Sequence, residues 1–168
     1  MNIDIRQEAP GDASAIAALT EAAFASAAHA SGTEHRIVDA LRAASALTVS
    51  LVAVEAGVLV GHVAVSPVTV SDGASDWYGL GPISVAPPRQ GQGIGSALMN
   101  HALAELRRLG AAGCVVLGEP GYYSRFGFRQ EPALVLPDVP PEYFQAIRFR
   151  GPLPAGDVAY HQAFVSAS

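Results

Sequence analysis

Apolar residues recur at helical spacing in three stretches of the chain. The first begins at Asp12, a residue type that favours the N-cap of a helix, and has an apolar residue at nearly every third or fourth position. The second spans residues 33–44 and follows a break at Ser31-Gly32. The third spans residues 94–109 and stops at Gly110, a residue type at which helices commonly end. These patterns predict three amphipathic helices.

Valine-rich segments predict the strands. Residues 47–54 and 58–70 flank a short glycine-containing connection and predict an antiparallel hairpin. Residues 77–85 predict a strand with a bulge, because two glycines and a proline interrupt it. The apolar run at residues 114–117 predicts a buried strand that lies parallel to its predecessor if the helix between them is a crossover. Further strands are predicted at residues 3–6, 128–131 and 157–164, with a helical turn at residues 122–126.

The composition favours a single compact domain over residues 1–168. Half of the residues are hydrophobic and 15% are charged, which is typical of a globular protein and not of a disordered chain. The net charge of −5 argues against nucleic acid or an anionic membrane as a partner, since both attract basic surfaces. The charge does not exclude a phosphate-containing ligand, because backbone N–H groups bind phosphate without basic side chains.

Cysteine usage and the apolar stretches bear on location and on metals. Cys114 is the only cysteine, and residues 1–7 lack the blocks of a signal peptide, so we expect a reducing, cytoplasmic setting. The most apolar stretch, residues 47–70, is interrupted by Glu55 and His62 and suits strands better than a membrane span. The five histidines show no metal-ligand spacing with carboxylates or the cysteine, so we expect no metal.

Three alternating glycines lie where the strand of residues 77–85 gives way to the helix of residues 94–109. Gly91, Gly93 and Gly95 keep a short segment of backbone free of side chains. A helix N-terminus at such a loop is an anion site, because its unpaired N–H groups and the helix dipole both favour phosphate. The loop therefore predicts pyrophosphate binding.

Other phosphate-binding loops need a different pattern. A Walker A loop requires Gly-Lys-Ser/Thr, and the dinucleotide fingerprint requires a glycine at the position of Ser96. A tight strand-to-helix turn that binds no ligand remains the alternative interpretation of the glycines.

The loop and its flanks resemble the Gcn5-related N-acetyltransferase (GNAT) superfamily. Its pyrophosphate loop, Gln/Arg-x-x-Gly-x-Gly/Ala, is matched by Gln90, Gly93 and Gly95, and the preceding residues 82–85 also match. An aromatic pair followed by an apolar-Gly-Phe unit is matched by residues 122–128. With segments 60–62 and 158–164, the likeness covers nearly the whole chain and is nearest to a YhbS-like branch of predicted acetyltransferases.

The resemblance implies a fold and a cosubstrate. The fold is α/β (α+β): a single GNAT domain with a central mixed, mostly antiparallel sheet, a splayed parallel strand pair and flanking helices. The cosubstrate is acetyl-CoA, bound without a metal. Its pantetheine arm would lie on the main chain of Ile83, Ser84 and Val85. Its pyrophosphate would meet the loop of Arg89, Gln90, Gly91, Gln92, Gly93, Ile94, Gly95 and Ser96, where Arg89 would add charge.

Acetyl transfer needs a proton donor for the departing thiolate and a base for the amine. Tyr123 occupies the position of the family's tyrosine near the coenzyme sulfur, and the alternative for it is a packing role in the core. The base is open among His62 on the hairpin, Glu119 after the last parallel strand, and Glu34 and His35 at the start of a helix, any of which would line an acceptor cleft. A histidine has a suitable pKa but in a strand is more often structural, and a carboxylate at a strand end can equally cap the following turn. Cys114 lies in an apolar strand without a neighbouring histidine, which favours direct transfer.

The activity that the resemblance implies is transfer of the acetyl group to an amine of a small molecule or a peptide. The alternative is a module of the same fold that senses acetyl-CoA or another CoA ester without turnover. Dimers are common in the superfamily, so a homodimer stays open, although no segment of the sequence identifies an interface.

Overall fold

The computed structural model describes residues 2–25 and 32–166. Its helices are α1 (Ala13–Phe24), α2 (Glu34–Ala43), α3 (Ile94–Arg108), α4 (Pro120–Tyr123) and α5 (Ala163–Ser166). Its strands are β1 (Asp4–Gln7), β2 (Val49–Glu55), β3 (Val58–Pro67), β4 (Thr69–Val70), β5 (Trp77–Val85), β6 (Gly113–Leu117), β7 (Leu134–Val135), β8 (Phe144–Arg148) and β9 (Gly156–Ala159).

A six-stranded sheet in the order β1-β2-β3-β5-β6-β8 forms the centre of the fold. Its neighbouring strands are antiparallel except β5 and β6, which are parallel. The parallel pairing covers only Trp77 to Gly79 of β5 and Gly113 to Val115 of β6. Beyond Gly79 the two strands part, which confirms the mixed sheet with a splayed parallel pair that the family resemblance implies.

Helices cover both faces of this sheet because successive strand residues point to opposite sides. On one face, α3 packs Leu98 and its other apolar residues against Val63 and Val65 of β3. On the other face, α1 and α2 contribute Ile16 and Val38, which pack against alternate strand residues such as Ala64. Strands β2 and β3 are therefore buried on both sides, as their nearly continuous valine-rich sequence predicts.

The three predicted helices and the strand of residues 77–85 are confirmed. Helix α1 starts directly after Asp12, but the Asp12 carboxylate accepts hydrogen bonds from Ala9 N–H at 2.7 Å and from Arg6 at 2.7 Å rather than from α1 itself. Gly32 precedes α2 with a φ of +81°, and Ser31 lies outside the described residues. The predicted bulge in β5 is also present, since Val65 pairs with Leu80 whereas Val63 pairs with Ile83.

The strand predicted at residues 58–70 is wrong at its end. Strand β3 stops at Pro67, and Thr69–Val70 belongs to a second sheet in the order β4-β9-β7. Proline lacks the N–H group that would continue the ladder, so the chain changes sheets there.

Two other predicted strands need correction, and two strands, β7 and β8, were not predicted. Residues 128–131 form a single bridge between Arg129 and Ala146. The strand predicted at residues 157–164 ends at Ala159 and gives way to the short helix α5. The unpredicted strand β8 pairs with β6 and forms an edge of the main sheet.

Candidate active site

The glycine-rich loop ends at the N-terminus of α3, as predicted. Gly93 is the N-cap and has a φ of +87°, a left-handed conformation that residues with a Cβ rarely adopt. No side chain of the described part of the chain caps the helix there, so the N–H groups of its first turn point out from the loop. These N–H groups and the positive end of the helix dipole provide the anion site.

A cavity of about 310 Å³ lies at this loop. It begins at Val85, the last residue of β5, so the strand leads directly into it. The structure thus brings together most of the residues predicted to bind the cosubstrate; Gln92 belongs to the same loop, and Ile83 and Ser84 precede it in β5. The lining residues are Val85, Arg89, Gln90, Gly91, Gly93, Ile94, Gly95, Ser96, Tyr122 and Arg125.

Arg89 ties the loop to the hairpin between β2 and β3. Its guanidinium forms a two-pronged ion pair with Glu55, one contact of which is 3.2 Å, and its Nε donates to Gln92 Oε1 at 3.0 Å. The hydrogen bond from Arg89 lowers the pKa of the Glu55 carboxyl, which therefore stays ionised. Much of the positive charge of Arg89 is balanced by Glu55, so its clearest role is to hold the loop in place.

Tyr122 and Arg125 also line the cavity, although the sequence did not single them out for it. The Tyr122 hydroxyl lies 3.3 Å from the position that a Cβ on Gly95 would take. The Arg125 guanidinium stacks over the Tyr122 ring at 4.6 Å from its centroid. The stacked pair places a cation beside the phosphate loop, and the only signal in the sequence is the spacing of three residues between an aromatic and an arginine.

Tyr123 follows the end of β6 in α4. Its ring packs edge-on against Phe128, with centroids 6.1 Å apart, and against the core beneath α3. Burial raises the pKa of the Tyr123 hydroxyl to about 12, so the hydroxyl keeps its proton at neutral pH.

His62 lies in the middle of β3, directly opposite Ser84 of β5. Its side chain is fully buried, and Nε2 is 2.8 Å from the Ser50 hydroxyl oxygen. Burial lowers the pKa of His62 to about 4, so the ring is neutral at neutral pH. In the sheet, β5 lies between β3, which carries His62, and β6, which Tyr123 follows in the chain.

Glu119 differs from His62 and Tyr123 in its exposure to solvent. Its side chain is exposed and forms no cap hydrogen bond, whereas its backbone carbonyl accepts from the Tyr122 and Tyr123 N–H groups at 3.2 Å each. Cys114 is completely buried, and burial raises the pKa of its thiol far above neutral, so it cannot act as a thiolate nucleophile.

Two buried hydroxyls near the point where β5 and β6 part were missed from the sequence. Ser66 is directly opposite Gly79, the last residue of β5 that pairs with β6. The Tyr160 ring lies 3.2 Å from the position of a Cβ on Gly79. Neither hydroxyl has a hydrogen-bond partner among the residues that the structure describes. Tyr160 falls in the segment 158–164 that carries part of the family resemblance, and that is the only signal for it.

Other classes of site find no support in the described parts of the chain. Within residues 2–25 and 32–166, no group of three or more His, Cys, Asp or Glu side chains is arranged to hold a metal ion. Over the same ranges, every helix is too short or too polar to cross a membrane.

Comparisons with known proteins agree on one family. The sequence profile described as "Acetyltransferase (GNAT) family" matches residues 15–128. "Uncharacterized N-acetyltransferase YhbS" of Escherichia coli K12 is 41% identical over 125 residues, which cover 74% of this chain and 72% of that protein.

Two solved structures resemble the chain over nearly its full length. A GNAT family acetyltransferase from Brucella melitensis, solved in complex with acetyl-CoA, is 52% identical with a TM-score of 0.87, and the match covers 97% of this chain and 98% of that one. YhbS from Escherichia coli, solved in complex with CoA, is 35% identical with a TM-score of 0.88, covering 98% of this chain and 93% of that one.

Proposed function

The chain belongs to the acetyltransferase (GNAT) family, and from that premise we propose that it binds acetyl-CoA and transfers the acetyl group directly to an amine. One observation carries the proposal: the loop cavity at the N-terminus of α3 begins at Val85, where β5 has already parted from β6. The phosphate site at the loop thereby directly follows the open edge of β5 along the chain.

The phosphates bind at the loop. The N–H groups of Ile94, Gly95 and Ser96 have no partners within the helix and donate to the pyrophosphate, together with those of residues 90–93. Arg125 supplies positive charge at the rim of the cavity, whereas Arg89, whose charge Glu55 largely balances, holds the loop in place. The acetyl-CoA bound by the Brucella protein, which is 52% identical, supports this ligand.

The pantetheine arm lies along β5. Beyond Gly79 the edge of β5 that faces β6 has no strand partner within residues 2–25 and 32–166, so its backbone groups can bond to the amides of the arm as they would to a further strand. Ile83, Ser84 and Val85 provide these groups and polarise the thioester carbonyl.

The reaction is a direct displacement. The neutral amine attacks the carbonyl carbon, a C–N bond forms, and the C–S bond breaks. The leaving thiolate takes a proton from the Tyr123 hydroxyl, which is protonated at neutral pH. The attacking nitrogen gives up one proton as it becomes the amide nitrogen, and this proton restores the Tyr123 hydroxyl. We assign the base to His62, which is neutral and buried beside β5, rather than to the exposed Glu119. The acceptor is an amine of a small molecule or a peptide, and the net charge of −5 favours a cationic one.

Thermal unfolding and thiol release test this function together. Acetyl-CoA at a hundred times its Kd should stabilise the protein by about 2.7 kcal/mol, and NAD should not. Free CoA thiol should then appear with at least one amine of a broad panel. No stabilisation by acetyl-CoA would contradict the binding site, whereas stabilisation without thiol release would indicate a sensor of acetyl-CoA.

Tyr123→Phe tests the proton donor. The variant keeps the ring packing but loses the hydroxyl, so kcat should fall by about 10²–10⁴-fold while acetyl-CoA binding stays unchanged. Tyr143→Phe is the matched control, since Tyr143 is 39% exposed and lies outside the proposed site. Full activity of Tyr123→Phe would rule out Tyr123 as the acid.

A further inference from the structure

A chain of hydrogen bonds connects the buried His62 to the surface. His62 Nε2 is 2.8 Å from Ser50 Oγ, and the Ser50 hydroxyl donates in turn to the Glu8 carboxylate. Glu8 also accepts two hydrogen bonds from Arg42, at 2.8 and 2.9 Å. These residues come from β2, β3, α2 and the segment after β1, so only the folded protein brings them together.

The direction of each hydrogen bond follows from the outer end of this chain. Although burial opposes it, the hydrogen bonds from Arg42 and Ser50 lower the pKa of Glu8, so the carboxylate is ionised and can only accept. The Ser50 hydroxyl must then give its proton to Glu8, and its oxygen is left to accept from His62. His62 is therefore protonated on Nε2 and carries the lone pair on Nδ1.

The Nδ1 atom is buried and has no hydrogen-bond partner among the described residues. Two hydroxyls on the same face of the sheet are also buried without a hydrogen-bond partner among the described residues: Ser84, directly opposite His62, and Ser66, four residues further along β3. Buried polar groups are nearly always paired in folded proteins, so a row of unpaired ones on the adjacent strands β3 and β5 indicates a ligand that brings its own polar groups.

We propose that Ser50 and Glu8 are positioning residues for the deprotonation of the acceptor: they hold the proton on Nε2 of His62, so that Nδ1 takes a proton from the ammonium nitrogen of the acceptor. The inference rests on the proposed function, in which His62 is the base. The N–H bond of the ammonium breaks, an Nδ1–H bond forms, and a neutral amine is left to attack the thioester.

Charge supports this step. The charged groups that act on His62 are Glu8, which favours the imidazolium, and Arg42, which opposes it. The residues opposite His62 on the neighbouring strands, Val52 and Ser84, are uncharged. Burial disfavours the imidazolium and so lowers the pKa of His62. An ammonium brought into the same site is disfavoured in the same way, so its pKa falls together with that of His62.

The outer end of this chain of hydrogen bonds, at Glu8, is open to solvent. Glu8, Arg42 and Ser50 line a surface cavity of about 260 Å³ at the ends of β1 and β2. The Glu8 side chain is 17% exposed, so the carboxylate that balances the imidazolium contacts water while His62 does not.

The tautomer of His62 can be measured directly by ¹⁵N NMR of the imidazole nitrogens in the full chain, with His62→Gln used to assign the signal among the five histidines. In the wild type, Nδ1 should give the shift of an unprotonated ring nitrogen and Nε2 that of a protonated one, both unchanged from pH 6 to pH 8. In Ser50→Ala the two tautomers should mix. A wild-type ring protonated on Nδ1, or a Ser50→Ala spectrum identical to the wild type, would overturn the inference.

Steady-state kinetics provide the second test. The substrates are acetyl-CoA and the best amine of a panel of primary amines. Ser50→Ala and Glu8→Gln should each lower kcat by about tenfold or more with KM for acetyl-CoA within twofold, and Ser50→Thr should restore most of the rate. Thr20→Val is the matched control, because the Thr20 hydroxyl is buried in α1 and, among the residues that the structure describes, bonds only to the Ile16 carbonyl at 2.8 Å. An unchanged kcat in Ser50→Ala, or an equal loss in Thr20→Val, would refute the positioning role.

Together, the NMR and kinetic tests distinguish a failure of this inference from a failure of the proposed function. The imidazole spectrum needs no substrate, so it reports the Ser50–His62 arrangement even where the wild type acetylates none of the amines tested. A wild type that releases CoA while His62→Gln keeps its full kcat would reject His62 as the base and the inference with it, but would leave acetyl transfer standing.

Discussion

Tyr160 buries a hydroxyl that has no hydrogen-bond partner among the described residues. Burial raises its pKa, with smaller contributions from Cys114 and Tyr123, so the hydroxyl remains a proton donor at neutral pH. Its ring contacts Phe164, with centroids 5.1 Å apart, and lies over Gly79 at the point where β5 and β6 part. A donor without a partner at this point is explained if a substrate supplies the acceptor.

Tyr160→Phe tests this explanation through opposite effects on stability and activity. Removing an unpaired buried hydroxyl should raise the free energy of unfolding by about 1 kcal/mol, while losing a contact to substrate should lower kcat/KM. Denaturant unfolding and thiol release measure the two effects. A variant that is less stable than the wild type would show that the hydroxyl serves the fold.

The neutral state of His62 predicts a pH dependence of stability. Its pKa falls from 6.5 when unfolded to about 4 when folded, so the unfolded chain binds the proton more tightly. The stability that this difference contributes is complete above pH 6.5 and is lost as the pH falls towards 4. The wild type should therefore lose about 3 kcal/mol more than His62→Gln between pH 7 and pH 4, as measured by urea unfolding. Equal losses in the two proteins would show that His62 is not buried in its neutral form.

At the scale of elements, the contact between β3 and α3 sets the position of the phosphate loop. A Cβ on Gly61 would lie 2.8 Å from Leu98 Cδ1 and 2.9 Å from Ile94 Cγ2, so the helix packs directly on the backbone of the strand. Ile94 is the first residue of α3, and its position therefore sets where the N-terminal N–H groups point.

Gly61→Val should push the start of α3 away from the sheet. We expect a loss of about 1–3 kcal/mol in the free energy of unfolding and weaker binding of acetyl-CoA, measured by denaturant unfolding and by calorimetry. Gly11→Ala is the control, because no atom lies within 4 Å of the added Cβ. Wild-type affinity in Gly61→Val would show that the helix position does not determine the site.

The sequence predicted the elements that local patterns specify. The loop, α3 and β5 each have a periodicity or a glycine pattern of their own, and the sequence placed them correctly. The strand β8 and the exchange of β4 into a second sheet depend on which segments pair, and a short apolar run does not specify its partner.

The site divides in the same way. The family motifs led to the loop and to Tyr123, because each motif is a run of neighbouring residues in the sequence. Glu8 and Ser50 are 42 positions apart, and Arg89 and Glu55 are 34 apart, so their contacts exist only once β1, β2, β3 and β5 are assembled. Long-range polar pairs of this kind have no signature in a single sequence.

At the scale of the whole molecule, the two faces of the main sheet carry different parts of the site. The face of α3 holds the phosphate loop, whereas the face of α1 and α2 holds His62, Ser50, Ser66 and Ser84. The gap between β5 and β6 connects the two faces. We propose that the single domain of residues 1–168 brings acetyl-CoA and amine together in this gap.

Titration of the full chain with acetyl-CoA, followed by amide chemical shifts in NMR, tests the central claim most directly. The largest changes should fall on the N–H groups of residues 90–96 and 83–85, because these are the groups proposed to bond to the pyrophosphate and the pantetheine. The small sheet of β4, β9 and β7 should change little. Saturation with no shift in residues 90–96, or the largest shifts elsewhere, would contradict the account.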